Sequence, residues 1–388
     1  MKIIFLNTHS FGKDDMVSSI KELGHTISFF SHASITKRKD TAFEQILCSF
    51  IENNNPDFVF SFNFYPLLSQ CCQKYHLPYL SYVYDSPLLS LFSYTVLNPC
   101  NYIFIFDHSL YKRMHDEGIS TVYYLPLASN PQRLDLIVPT KEHEKLFSAD
   151  ISFVGAMYNE SHHLFERLES VAPYTKGYLN SIMSAQLKVS GYFFIEELLT
   201  KDICKDLQNA CPYNPNPDGV ETDAYVYANY FIARKLAEIE RTHILKLLPE
   251  KYKCHLYTHN PTPNLPNIIN MGPIDHYEMI PYVSKLSKIN LNITLRSIQS
   301  GIPLRSWDIL GSGGFLLSNY QSDYEGLFVP GEDYDYYIDE TDLLQKIDYY
   351  LSHPKERAEI AENGHRKVLL YHTYKHRILY MMHTAHLI

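Results

Sequence analysis

No two cysteines of the chain stand in Cys-x-x-Cys spacing, tryptophan occurs once, and no apolar run comes near the length of a membrane span. Each absence removes a class of protein. The seven cysteines, Cys48, Cys71, Cys72, Cys100, Cys204, Cys211 and Cys254, are odd in number and lack the spacing of a zinc site or a dithiol centre. They read as reduced, mostly buried thiols of a cytoplasmic protein. Crossing a bilayer takes roughly 20 apolar residues, and the opening run Lys2–Leu6 is short even for a signal peptide. No stable membrane insertion and a cytoplasmic location are therefore expected. An excess of basic charge is missing too. The formal net charge is −9, and the one basic run, Lys37-Arg38-Lys39, reads as a solvated loop, so no sequence-independent grip on nucleic acid is expected. The 19 histidines include the pair His162-His163 but no His-Glu-x-x-His or comparable ligand spacing, so no catalytic metal is expected. No internal repeat or low-complexity tract occurs.

What is present is a globular composition, 45% hydrophobic and 20% charged, over 388 residues. That is too long for one ordinary core and implies two or three domains. Tyrosine is plentiful, at 32 residues. Its flat apolar face and hydroxyl suit sugar rings, although an AT-rich genome supplies the same bias.

The first 130 residues alternate strand-like and helix-like segments. Short runs rich in Ile, Val, Phe and Tyr lie at Lys2–Leu6, Thr26–Phe30, Phe58–Phe62, Tyr79–Tyr84, Tyr102–Phe106 and Val122–Leu125. They lack polar alternation, as strands buried on both faces do. Helical stretches such as Asp14–Leu23, Thr41–Ile51 and Ser109–Glu117 separate them, with Gly24 and Gly118 as stops. This rhythm predicts a parallel α/β sheet. Residues 131–148, polar and with Pro139, read as a linker. The rhythm resumes at Asp150–Val154, Lys253–Thr258, Ile289–Ile293, Phe315–Ser318 and Tyr334–Ile338, with helices near Arg305–Leu310, Asp342–Ser352 and Lys355–Leu370. Between about 160 and 248 no strand is expected. Ala228, Phe231, Ile232, Leu236 and Ile239 keep helical spacing, and the stretch reads as a helical insertion in a second domain, with Cys211–Gly219 a loop. A last helix, Tyr374–His386, is expected to cross back to the first domain. The domains are thus 1–130 and 149–370, with 371–388 returning to the first.

The stretch 289–318 carries the most chemistry: a strand, a Gly/Ser loop (Ser297 to Gly301), a helix from Arg305 and another strand. A strand-to-helix turn offers unpaired N–H groups and the positive end of a helix, which suit a diphosphate. Arg296 and Arg305 can add full charge, and Asp308, one turn on, can accept from ribose hydroxyls. The same features suit an ordinary turn whose arginines pair with surface acids.

That segment, with 324–332, 353–357 and 372–377, resembles the C-terminal module of group 1 glycosyltransferases, nearest the branch of spore-maturation CgeB-like proteins. The N-terminal half resembles the domain preceding that module, through Tyr84-Asp85-Ser86-Pro87, Phe106-Asp107-His108 and Tyr124–Ala128, as does Phe153-Val154-Gly155 in the second domain. The resemblance implies a GT-B fold, two Rossmann-like domains facing a cleft. The acceptor, a glycan or protein, would sit on the first domain. The nucleotide-sugar donor, a co-substrate with no further cofactor, would sit on the second. Gly155, Tyr257, Gly272, Arg296, Ser300, Gly301, Arg305 and Asp308 become candidate donor-binding residues. Many relatives carry two glutamates eight positions apart, and here these positions hold Ser300 and Asp308, which leaves retention or inversion open. Asp85, ending a strand, and His9, after the first strand, are the candidate catalytic groups. Asp85 also suits a turn, and His9 a structural role. Tyr257 and Gly272-Pro273 fit the nucleobase or plain packing. Asp333-Tyr334-Asp335 has metal-motif spacing but reads as a surface loop. Transfer of a sugar to a hydroxyl is the expected activity. A nucleotide-sugar epimerase of the same fold and a non-catalytic binding module are the alternatives.

Overall fold

The computed structural model describes residues 1–160 and 163–388, so His162 lies outside the described residues. The chain forms two compact units, one built mainly from Met1–Ala128 and the other from Ser129–His372.

The first unit holds a sheet of six parallel strands, β1 (Lys2–Leu6), β2 (Thr26–Phe30), β3 (Phe58–Phe62), β4 (Tyr79–Val83), β5 (Asn101–Ile105) and β6 (Val122–Tyr124), in the order β2-β1-β3-β4-β5-β6. All side chains of β3 and β4 are buried, the burial that a strand covered by helices on both faces requires. Helices α1 (Lys13–Glu22), α2 (Thr41–Asn54), α3 (Pro66–Lys74) and α4 (His108–Asp116) make the crossovers. Gly24 and Gly118 follow α1 and α4 at φ 80° and 88°, the left-handed backbone that ends a helix most cheaply with glycine. Phe43, Leu47, Leu67 and Leu68 fill the core against the sheet.

The second unit begins with two short helices, α5 (Pro131–Asp135) and α6 (Lys141–Phe147), where an unstructured linker is expected. Asn130 caps the first and Thr140 the second, and these caps offset the poor periodicity. The second sheet is again six-stranded and parallel: β7 (Ala149–Val154), β8 (Cys254–Tyr257), β9 (Ile268–Asn270), β10 (Ser287–Asn292), β11 (Leu316–Asn319) and β12 (Asp335–Tyr337), in the order β12-β11-β10-β7-β8-β9. The three-residue β9 is too short to register as a periodic run. Between β7 and β8 the described residues form no named strand. They form α7 (Pro173–Gln186), α8 (Ile195–Leu198), α9 (Lys201–Ala210), α10 (Asp223–Val226), a π turn at Tyr227–Ile232, and α11 (Ala233–Leu247). The wide π turn shifts the helical register of α11 relative to α10. Ile239 leaves the core for the surface side, and α11 buries Leu236, Ala237, Glu240, Arg241, Ile244 and Leu245 instead. Helices α12 (Ile280–Leu286), α13 (Leu304–Gly311), α14 (Glu340–Ser352) and α15 (Pro354–Tyr371) complete the unit.

Two segments distant in sequence belong to the first unit: Asn214–Thr222, from the insertion, and Thr373–Ile388, which carries α16 (Tyr374–Thr384). The first is tied on by a bridge between Ser93 and Gly219 and by an ion pair of 3.4 Å between Arg38 and Asp218. Arg38 is thus engaged in a half-buried salt bridge and is not part of a solvated basic loop. The second buries Ile378, Met381 and Met382 completely. Among the described residues no helix is long and apolar enough to cross a membrane.

Candidate functional site

In a doubly wound sheet a ligand crevice opens at the carboxyl ends of the strands, where the strand order reverses. In the second unit the chain runs β7-β8-β9 to one side and β10-β11-β12 to the other, so the reversal falls between β7 and β10. Arg305, in the first turn of α13, spans that point. Its Nε donates to the carbonyl of Val154, which ends β7, and its Nη1 donates to Asn292 Oδ1, which ends β10, at 2.6 Å. Gly155 is required here, because a Cβ on it would lie 2.6 Å from Arg305 Nη2.

A second arginine spans the same pair of strands. Arg241 of α11 donates to the carbonyl of Ala156 at 2.6 Å and to that of Ile293 at 2.8 Å. The Phe153 ring receives both cations, 4.8 Å from the Arg305 guanidinium and 5.3 Å from that of Arg241. Among the described residues neither arginine forms an ion pair with a carboxylate. Burial pushes the Arg305 guanidinium down to about 9, and the neighbouring Arg241 pushes it the same way. Burial likewise lowers Arg241. Two cations are held side by side on neutral oxygens, with the charges of Asp308 and Glu240 acting on them without a direct ion pair, and an anion placed between them would offset their mutual repulsion.

Asp308 lies one turn into α13, its Oδ2 3.7 Å from His276 Nδ1. Ser300 and Gly301 sit buried in the loop after β10, their carbonyls accepting from Asp323 N at 3.1 Å and Gln321 Nε2 at 3.1 Å. Gly272 turns the chain after β9 at φ 79°, its N–H held by Asn270 Oδ1. Two candidates stand apart from this group. Tyr257 is 3% exposed and packs with Phe147 and Val283, so its ring is spent on the core. Arg296 is engaged with Glu240, Nε to Oε2 at 3.0 Å, and with Val189 O and Ser190 Oγ, so its donors are committed. Arg241 escaped the sequence reading, yet a signal existed: Glu240 and Arg241 interrupt the apolar row of α11. Asp333 and Asp335 correct a further expectation. Both are buried and not on a surface loop, the first paired with Lys367 and the second with Lys346 at 3.0 Å and Tyr350 Oη at 2.7 Å. Among the described residues no three His, Cys, Asp or Glu side chains gather as a metal cage.

In the first unit the strand order reverses between β1 and β3. His9, exposed, follows β1, and Asp85, also exposed, follows β4 on the far side of β3. Asn63, ending β3 at φ 60°, holds the Asp85 loop: its Nδ2 donates to Asp85 Oδ2 at 2.7 Å, and its Oδ1 accepts from the N–H groups of Tyr84 and Asp85. Burial raises the pKa of the Tyr65 phenol, and the charge of Asp85 adds to that while Thr8 opposes it.

Residues 236–383 match the family described as Glycosyl transferase-like. Several solved structures share the whole chain's architecture. A glycosyltransferase from Rickettsia africae is 12% identical with a TM-score of 0.56, over 99% of this chain and 98% of that one. Sucrose-phosphate synthase from Thermosynechococcus elongatus is 9% identical at 0.56, over 100% and 98%. Anabaena HepE, in complex with UDP, is 7% identical at 0.52, over 99% and 100%. The fold is GT-B. No curated protein sequence matches the chain. At these identities the likeness shows architecture alone, and what this GT-B chain does is read from its own residues.

Proposed function

We propose that the chain transfers a sugar from a nucleoside-diphosphate-sugar to a hydroxyl of a glycan or protein acceptor. One observation carries the reading: Arg241 and Arg305 bridge the ends of β7 and β10 at the reversal point and have no carboxylate partner among the described residues. A diphosphate supplies the charge they lack, with the start of α13 behind it. Asp308 accepts from the ribose, and Gly272 leaves room for the base. The family match and the UDP held by HepE, a structure of the same fold, support the same donor class. The run at 289–318 supports a reading nearest the CgeB-like branch.

In this reading the first unit supplies the acceptor chemistry. Asp85, held by Asn63, takes the proton of the attacking hydroxyl, and that oxygen forms the new bond to the anomeric carbon as the nucleoside diphosphate leaves. His9 is the other base within the same edge. The arginines stabilise the leaving diphosphate, so no metal is assigned to the step. Asp333 and Asp335, each holding a lysine, are structural. Hydrogen bonds to a charged group are worth about 1.5–3 kcal/mol, so Arg305→Ala and Arg241→Ala should each weaken UDP binding about tenfold or more. Calorimetry in excess EDTA checks both points: the wild-type protein should bind without metal and the two variants poorly. Unchanged affinity in both variants would remove the diphosphate from this point.

A further inference from the structure

The two candidate bases of the first unit stand on loops that one buried hydroxyl touches at once. His9 lies in the loop that leads from β1 into α1, just ahead of Gly12. Asp85 lies past the end of β4, directly after Tyr84. Tyr374, in the first turn of α16 and 2% exposed, reaches both loops. Its hydroxyl accepts the hydrogen of Tyr84 Oη at 3.0 Å. The same oxygen lies against Gly12, where a Cβ would come within 2.1 Å of it and where φ is 78°. Only glycine permits this approach together with that backbone. Tyr374 is itself fixed. Thr373 caps α16, its side chain accepting from His376 N, and Arg377 Nε donates to the carbonyl of Pro126 at 2.8 Å. On the other side of the contact the Tyr84 ring packs on Phe62 and Tyr82, with centroids 4.6 Å and 5.1 Å away. Asn63 Oδ1 holds the N–H groups of Tyr84 and Asp85.

Phenylalanine at either position would fill the same space without a polar atom to satisfy, so packing alone asks for no hydroxyl pair there. We infer that Tyr374 is a positioning residue for the proposed transfer. Its hydroxyl joins the turn behind His9 to the strand end ahead of Asp85, and so fixes the two loops at the carboxyl ends of the first sheet. Whichever of the two groups takes the proton, its distance to the attacking hydroxyl depends on that joint. A displacement of about 1 Å can cost about a hundredfold in rate. The proposed donor contacts belong to the second unit, so the joint acts on the rate of transfer and leaves donor binding as it is.

The inference rests on the proposed transfer with Asp85 or His9 as its base, and the experiment separates the two. Donor turnover is measured on the full chain with UDP-, GDP- and dTDP-hexoses, water serving as the attacking hydroxyl, and UDP affinity is followed by calorimetry. Asp85→Asn and His9→Ala test the base. Tyr374→Phe and Tyr84→Phe, which keep both rings in place, test the joint. The expected result is a fall in kcat of about tenfold or more in Tyr374→Phe, with KM and UDP affinity unchanged. Tyr84→Phe should fall equally, and the double variant no further, because both remove one contact. A loss of stability in urea with kcat unchanged makes the hydroxyl pair structural and overturns the role of Tyr374, as does a double variant whose losses add. If the wild-type protein turns over no donor, or neither Asp85→Asn nor His9→Ala slows it, the base reading falls and Tyr374 with it.

Discussion

Three arginines of the second unit look alike in the sequence and differ in their partners. Arg296 is matched by Glu240 inside the protein, whereas Arg241 and Arg305 bond only neutral oxygens. In the proposed reading the internally matched cation holds structure and the pair without a carboxylate holds the diphosphate. Removing one member of a buried ion pair strands the other charge at a cost of about 3–5 kcal/mol. The Arg296→Ala variant should therefore lose stability of that order in urea unfolding, with a smaller loss of nucleotide affinity than Arg305→Ala. Equal stability and a lost ligand would return Arg296 to the site. Position 296 follows a strand as a phosphate-binding arginine would. Only Glu240, 56 residues earlier, shows that its charge is already answered.

At the scale of the element, most strands were legible because each is a short apolar run that burial on two faces demands. β1, β2 and β3 fall at the residues expected, the three-residue β9 was not expected, and the others differ by a residue or two at one or both ends. What periodicity missed were elements made by capping or by a change of pitch: α5, α6 and the π turn before α11. Helix α16 shows how an element is tied down from afar. Tyr374, 2% exposed, receives the hydroxyl hydrogen of Tyr84 at 3.0 Å, next to Asp85 in sequence. Its own hydroxyl lies on Gly12, where a Cβ would come within 2.1 Å of it, at φ 78°. The substitution Gly12→Ala should thus cost about 1–3 kcal/mol, from the clash and the left-handed backbone together. Adding Tyr374→Phe should recover only part, since the ring carbon stands 2.8 Å from the same point. Chemical denaturation of the single and double variants measures both, and a fully recovered double variant would show the backbone term to be negligible.

For the molecule as a whole, the two units divide the proposed chemistry. The cations proposed to hold the donor belong to the second unit, and Asp85 with its Asn63 support belongs to the first. A general base contributes typically 10²–10⁴-fold to rate. Asp85→Asn should therefore lower transfer by about a hundredfold or more while leaving UDP affinity as it was, in a radiolabelled-sugar assay paired with calorimetry. If His9→Ala shows that pattern and Asp85→Asn does not, the base is His9.

Composition and periodicity by themselves determined that this chain is α/β with parallel sheets, because strands buried on both faces must be short, apolar and separated by helices. They also offered the loop between β10 and α13 either for a phosphate or as an ordinary turn, since local backbone geometry there depends on neighbours in sequence. Only the tertiary structure decided which arginines are matched by a carboxylate inside the protein. Partnership of charges is a matter of distance in space: Arg241 reaches the site from the far end of an insertion, Arg296 is neutralised by Glu240, and Tyr257 turns into the core. None of these distances is encoded in spacing along the chain.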